Sequence, residues 1–129
     1  MIVANWKANG DTKKNYLWCE TFQNLLDKSS FNYVGISPSH IHFHQLNTFF
    51  KETNVMIGMQ DIYIEGGAIT GSISAEMASA DGCSFCLVGH SERREIFNED
   101  GNLINKKINS LLKNNIKPIL CIGESFDEH

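Results

Sequence analysis

A parallel α/β fold, an apolar sheet covered by helices, is what this sequence predicts. Short, nearly all-apolar runs recur from end to end of its 129 residues. Segments with helical spacing of apolar residues lie between those runs. No linker, low-complexity tract or shift of composition interrupts the alternation. Strands covered on both faces lose the polar alternation of a half-solvated sheet, and a helix between strands is what a parallel connection needs.

Ile2 to Asn5 reads as a short opening strand. Asp11-Thr12 then supplies a helix start, and Trp18, Phe22, Leu25 and Leu26 fall at helical spacing in the segment to Lys28. Tyr33-Val34-Gly35-Ile36 makes the second strand, stopped by Ser37-Pro38-Ser39. Ile41, Leu46, Phe49 and Phe50 give a second helix one apolar stripe, and Val55 to Met59 is the third strand. The glycine-rich stretch Glu65 to Gly71 is too long for a simple turn, which makes it a functional candidate. Ser74 to Ala80 is a short third helix, Phe85 to Val88 the fourth strand, and a further short helix starts at His90. Leu103, Ile104, Ile108, Leu111 and Leu112 mark the next helix, closed by Asn114-Asn115. Pro118 to Ile122 is the fifth strand, with proline at the first position, where a missing N–H is tolerated.

The length suits one domain with a real core, and 42% hydrophobic with 20% charged residues is ordinary for a soluble globular protein. A net charge of −4 argues against a nucleic-acid or anionic-membrane partner. An anionic substrate would need positive charge concentrated locally, and Lys7 is the candidate. No stretch approaches the roughly 20 apolar residues that cross a bilayer. The first residues lack the long apolar region of a signal peptide. Cys19, Cys83, Cys86 and Cys121 lie mostly in apolar surroundings and read as reduced thiols, so a cytoplasmic location is expected.

Polar residues collect where each strand ends: Asn5 and Lys7, Ser37 and Ser39, Gln60 and Asp61, His90, and Glu124. In parallel α/β folds those ends open on one face, which holds the active site. Strand ends are wet and polar without any function, so this pattern alone decides little. The run Leu87 to Arg94 carries more. A histidine follows the glycine that ends the strand, at the start of a helix whose N–H groups carry partial positive charge. That environment disfavours an imidazolium, so His90 is expected to donate a hydrogen bond as a neutral ring and polarise a carbonyl. Removing a proton beside a carbonyl needs such groups where negative charge develops, and also a base. Lys7 and His90 meet the first need; nothing in the sequence plainly meets the second.

Other motifs carry less. His40, His42 and His44 are two apart, so on a helix they do not share a face, and no metal site is expected. Cys83 and Cys86 have the spacing of a zinc or redox pair but lack a second half. Gly66-Gly67 lacks the remaining glycine of a dinucleotide fingerprint. Arg93 and Arg94 are expected to make structural salt bridges.

Several separated segments resemble the triosephosphate isomerase family, in the right order and along the whole chain. They are Ala4-Asn5-Trp6-Lys7-Ala8-Asn9, Gly58-Met59-Gln60-Asp61, Gly67-Ala68-Ile69-Thr70-Gly71, Ser74-Ala75-Glu76-Met77, Val88-Gly89-His90-Ser91-Glu92-Arg93-Arg94 and Cys121-Ile122-Gly123-Glu124. The resemblance implies the N-terminal half of a TIM (β/α)8 barrel, with four βα units plus a fifth parallel strand. Because a closed barrel takes about 250 residues, residues 1–129 would form a single partial domain lacking the C-terminal half. It implies interconversion of dihydroxyacetone phosphate and D-glyceraldehyde 3-phosphate through an enediol(ate), in glycolysis and gluconeogenesis, without cofactor or metal.

By the same resemblance, Lys7 is the cation facing the substrate's oxygen and phosphate, and Asn5 orders that pocket. His90 polarises the carbonyl as a neutral imidazole, a property already known of the family. Glu92 pairs with Lys7 or moves protons, and Cys121 packs behind the site. The loop with Thr70 and Gly71 is the arm that enters the partner subunit of a homodimer. The glutamate base, its lid and the phosphate loops belong to the absent half, so the chain alone is expected to be inactive and to need complementation by a C-terminal half. The alternative is a non-catalytic, self-associating half barrel that binds a phosphorylated ligand or a protein partner. Ala8, Asp61 and Ser72 depart from the family's usual larger apolar residue, asparagine and glutamate.

Overall fold

The computed structural model of the chain describes residues 1–26 and 33–123. Strands β1 (Ile2–Asn5), β2 (Val34–Ser37), β3 (Met56–Met59), β4 (Phe85–Val88) and β5 (Lys117–Leu120) form one sheet in that order. Every neighbouring pair is parallel. Between the strands run α1 (Thr12–Leu25), a 3₁₀ turn at His40–His42 leading into α2 (Phe43–Phe49), α3 (Ala75–Ala80), α4 (Ser91–Phe97) and α5 (Gly101–Lys113). Side-chain caps set four of these starts: Asp11, Ser74, His90 and Asp100 accept the N–H groups of Lys14, Met77, Glu92 and Leu103. No helix among the described residues is long and apolar enough to cross a membrane.

The strand period of two separates two faces. Ile36, Ile57, Met59, Cys86 and Val88 belong to the core shared with the helices, which contribute Cys19, Phe43, Leu46, Ala78, Ile104 and Leu111. On the opposite face Phe85 is fully buried, and its ring lies across Gly58 and Gly35. A Cβ on Gly58 would sit 2.5 Å from that ring, and one on Gly35 2.8 Å from it. A ring on β4 that reaches β2 across β3 requires a sheet curled toward this face. The result is the open, curled half of a (β/α)8 barrel. Gly58→Ala is therefore expected to lower unfolding free energy by about 1–3 kcal/mol in urea titrations, as overpacking does. The same change at Gly101, where an added Cβ meets nothing, serves as the control.

Several details differ from the sequence expectations, among them Ile41, which is 86% exposed in the 3₁₀ turn before α2 and lies off its packed stripe. Helix α1 buries Asn15 and Cys19, while Leu25 is 80% exposed, so the packed stripe is rotated from the one Trp18, Phe22, Leu25 and Leu26 suggest. Trp18 instead stacks on Phe22 at 4.7 Å and meets Trp6 edge-on at 4.9 Å. The expected end of that helix, at Lys28, lies outside the described residues. β5 begins at Lys117, which places Pro118 second rather than first. The Lys117 and Cys121 N–H groups bond Ser84 and Val88 carbonyls of the β4 side. By the period of two, the N–H that proline lacks falls on the outer edge, where no described strand needs it. Helix α5 buries Lys107 with Ile104 and Leu111, and leaves Leu112 exposed.

Candidate active site

Three strand ends and one helix start meet at the C-terminal rim of the sheet. Lys7 follows β1 with φ +52°, a left-handed conformation that a residue with a Cβ adopts at a cost of about 1–3 kcal/mol. Both of its backbone polar groups are held by side chains. Asn5 Oδ1 accepts the Lys7 N–H at 3.0 Å, and Gln60 Nε2 donates to the Lys7 carbonyl at 2.8 Å. Gln60 also donates to the Ser37 carbonyl at 3.0 Å, so one amide joins the ends of β1, β2 and β3.

The Lys7 ammonium donates to Glu92 Oε1. Hydrogen bonding from Lys7 holds the Glu92 carboxyl below its ordinary value. Both partners are about half exposed, so the pair orients groups more than it stabilises the fold. Gly89, with φ +71°, turns the chain after β4, and His90 becomes the N-cap of α4. The Glu92 N–H donates to His90 Nδ1 at 3.3 Å. A donor aimed at Nδ1 fits the neutral tautomer that carries its hydrogen on Nε2. Asn5, Lys7, Gln60, His90 and Glu92 together line a cleft of ≈ 420 Å³. A larger groove of ≈ 900 Å³, between the glycine-rich loop and α5, contains none of them.

The structure thus brings Asn5, Lys7, His90 and Glu92 together. Thr70 and Gly71 lie elsewhere, on the exposed loop, with Gly71 at φ +83°. Gly71 borders a neighbouring recess of ≈ 310 Å³ that it shares with His40, Asp61, Phe97 and Glu99. Cys121 is partly buried beyond the end of β5; burial raises its thiol, and its carbonyl accepts from Arg94 at 3.5 Å. Glu124 lies outside the described residues. The three clustered histidines sit in unlike places, with His42 buried and His44 exposed. Burial pushes the Cys83 thiol up to about 11.

A ring of four charges beside the cleft gives Arg93 the structural salt bridges expected of it, whereas Arg94 makes none among the described residues and donates to the Gly89 and Cys121 carbonyls instead. The Lys107 ammonium, 2% exposed, donates to Asp61 Oδ1 and Glu99 Oε1, both at 2.6 Å. Arg93 donates to Asp61 Oδ2 at 2.9 Å and to Glu99 Oε1 at 2.7 Å. Burial raises the Asp61 carboxyl above its ordinary value against the pull of Lys107 and Arg93. For Glu99 burial also opposes ionisation, but the hydrogen bonds from Lys107 and Arg93 prevail and its value falls. A sequence signal for this ring did exist. Lys107 falls on the Ile104–Leu111 stripe of α5, and a lysine on an apolar face calls for a buried carboxylate.

His40 borders both recesses, and its Nε2 is buried without a hydrogen-bond partner among the described residues. Burial lowers its pKa from 6.5, against the attraction of Asp61. The unfolded chain therefore binds more protons below that pH. The stability a neutral His40 confers is complete above its unfolded pKa and is lost as pH falls through the folded value. His40→Phe should flatten the decline in urea midpoint between about pH 7 and pH 5. An unchanged decline would assign it to other groups.

Comparison with known proteins gives these residues a family. The family model described as triosephosphate isomerase matches residues 1–129. The triosephosphate isomerase of Aquifex aeolicus is 38% identical over 129 residues, covering 99% of this chain and 52% of its own length. Those of Francisella tularensis subsp. mediasiatica and Alkaliphilus oremlandii are each 36% identical, over 51% and 52% of their lengths. The chain spans about half the length of the curated relatives it matches. Matched along its entire length, with the strands and loops in the order the motifs require, the chain belongs to the triosephosphate isomerase family.

Proposed function

We propose that this chain supplies the electrophilic half of a triosephosphate isomerase site and does not turn substrate over alone. The convergence of Lys7, His90 and Glu92 in one cleft carries this reading. The enediolate that links dihydroxyacetone phosphate and glyceraldehyde 3-phosphate places negative charge on the former carbonyl oxygen. Fixed donors are worth most where such charge develops. His90, with Nδ1 accepting from Glu92, offers an Nε2 hydrogen to that oxygen. Lys7 adds a full positive charge that serves both the oxygen and the substrate's phosphate. Asn5 holds the Lys7 backbone in place, and Glu92 orients its ammonium.

The base is the part not supplied. Among the described residues, the carboxylates of this cleft are Glu92 and Asp61. Glu92 is bound to Lys7, and Asp61 to Lys107 and Arg93. A carboxylate engaged by cations is a poor acceptor for a carbon-bound proton. Residues 1–129 act as one partial domain, and the base comes from a segment matching the other half of the relatives' length. In the completed enzyme the exposed Thr70–Gly71 loop docks on a second copy to form a homodimer. Cys121 packs at the end of β5, where the second half begins.

Infrared spectroscopy of bound dihydroxyacetone phosphate tests this reading, with a second chain supplying the remaining half of a relative's barrel. The carbonyl stretch is expected to move to lower frequency than in water, and His90→Ala to reverse most of the shift. Binding with an unshifted carbonyl would instead support the non-catalytic, ligand-binding half barrel.

A further inference from the structure

None of the described side chains of α4 is buried, and its apolar residues Ile96 and Phe97 are 67% and 61% exposed. A helix with no buried apolar face is not oriented by packing. Yet α4 must be well placed, because its first turn delivers the Glu92 N–H to His90 and the Glu92 carboxylate to Lys7. Polar ties do the placing: Arg94 Nε donates to the Gly89 carbonyl at 2.7 Å, and Arg93 is gripped by Asp61 and Glu99. That Arg94 tie is local to the turn, and a longer one of 3.5 Å runs to the Cys121 carbonyl beyond β5. The Arg93 tie reaches across to β3, directly after Gln60, the residue that holds the Lys7 carbonyl.

Gln60 and Asp61 are adjacent, so Lys7 and α4 are both referenced to one dipeptide at the end of β3. Asp61 itself cannot swing. Its side chain is 14% exposed, and its other oxygen is fixed by Lys107 on α5, which Glu99 shares. We propose that Asp61 is a positioning residue for this site: through Arg93 it sets the orientation of α4, and with Gln60 it fixes the geometry at which Lys7, Glu92 and His90 meet. A leucine there would offer neither cation an acceptor. The carboxylate satisfies both. This inference deepens the proposed function and rests on the same site, but its test reads geometry, not turnover, so either can fail without the other.

The experiment is nuclear magnetic resonance on the protein carrying Asp61→Leu, and separately Arg93→Met, whose native side chain is 30% exposed and whose loss leaves Lys107 still bound to both carboxylates. Two quantities are followed: the ring ¹⁵N shifts of His90 and the titration of the Glu92 carboxyl. In both variants the His90 nitrogens should move toward each other as the single tautomer is lost. The Glu92 titration should move up toward the ordinary carboxylate range as Lys7 disengages. Gln60→Ala should disturb Lys7 and the Glu92 titration while leaving the His90 tautomer closer to native. If Asp61→Leu fails to fold, Arg93→Met decides. A folded Arg93→Met protein with native His90 shifts and native Glu92 titration would overturn the proposal.

Discussion

Lys107→Met is expected to remove about 3–5 kcal/mol of unfolding free energy, the usual effect of taking one partner from a buried ion pair. The ring is balanced, with two cations and two carboxylates, and Lys107 is its most buried member at 2% exposure. Methionine fills the same volume but leaves Asp61 and Glu99 facing each other with Arg93 alone between them. Among the described residues Glu99 Oε2 already has no hydrogen-bond partner, so none of them offers a spare donor. The deficit should shrink as pH falls, because burial already raises the Asp61 carboxyl and a proton relieves the excess negative charge. Urea denaturation at two pH values measures both effects. A loss below about 1 kcal/mol would mean that the ring is solvated and holds nothing.

His90→Ala, in an assembly that has the missing half restored, is expected to lower kcat by about 10²–10³-fold, as loss of one oxyanion donor does. KM should change less, because the hydrogen bond strengthens as charge moves onto the oxygen. Lys7→Met should impair both constants, since an ammonium facing an anionic substrate acts in the ground state as well. Steady-state kinetics on the two variants separates the roles. Equal effects on kcat and KM at the two positions would contradict the division of labour.

The strands were readable because each is a short apolar run bounded by glycine, proline or polar residues, and burial on both faces demands that composition. His90 and Lys7 were readable because each follows such a run directly. The orientation of α1 was not: its sequence is apolar on more than one side, and only packing against Trp6 and α2 decides that Asn15 and Cys19 go inward while Leu25 stays out. Gln60 stood out as a polar strand end, but its amide tie to Lys7 depends on the left-handed turn at that residue, which no local preference of lysine announces. The charge ring joins positions 46 residues apart, from Asp61 to Lys107, and pairing over that distance leaves no mark in spacing.

On the proposed reading, the electrophile and the base of one isomerase site are divided between this chain and the remainder of a barrel. Isomerase turnover measured with this chain alone, with a chain supplying the remaining half alone, and with both together tests it most directly. The expected result is no turnover in either single-chain arm and turnover in the mixture, abolished when His90 and Lys7 are both replaced. Turnover by this chain alone would show a base already within it. A stable mixed complex without turnover would show that the cleft around His90 is not half of an isomerase site.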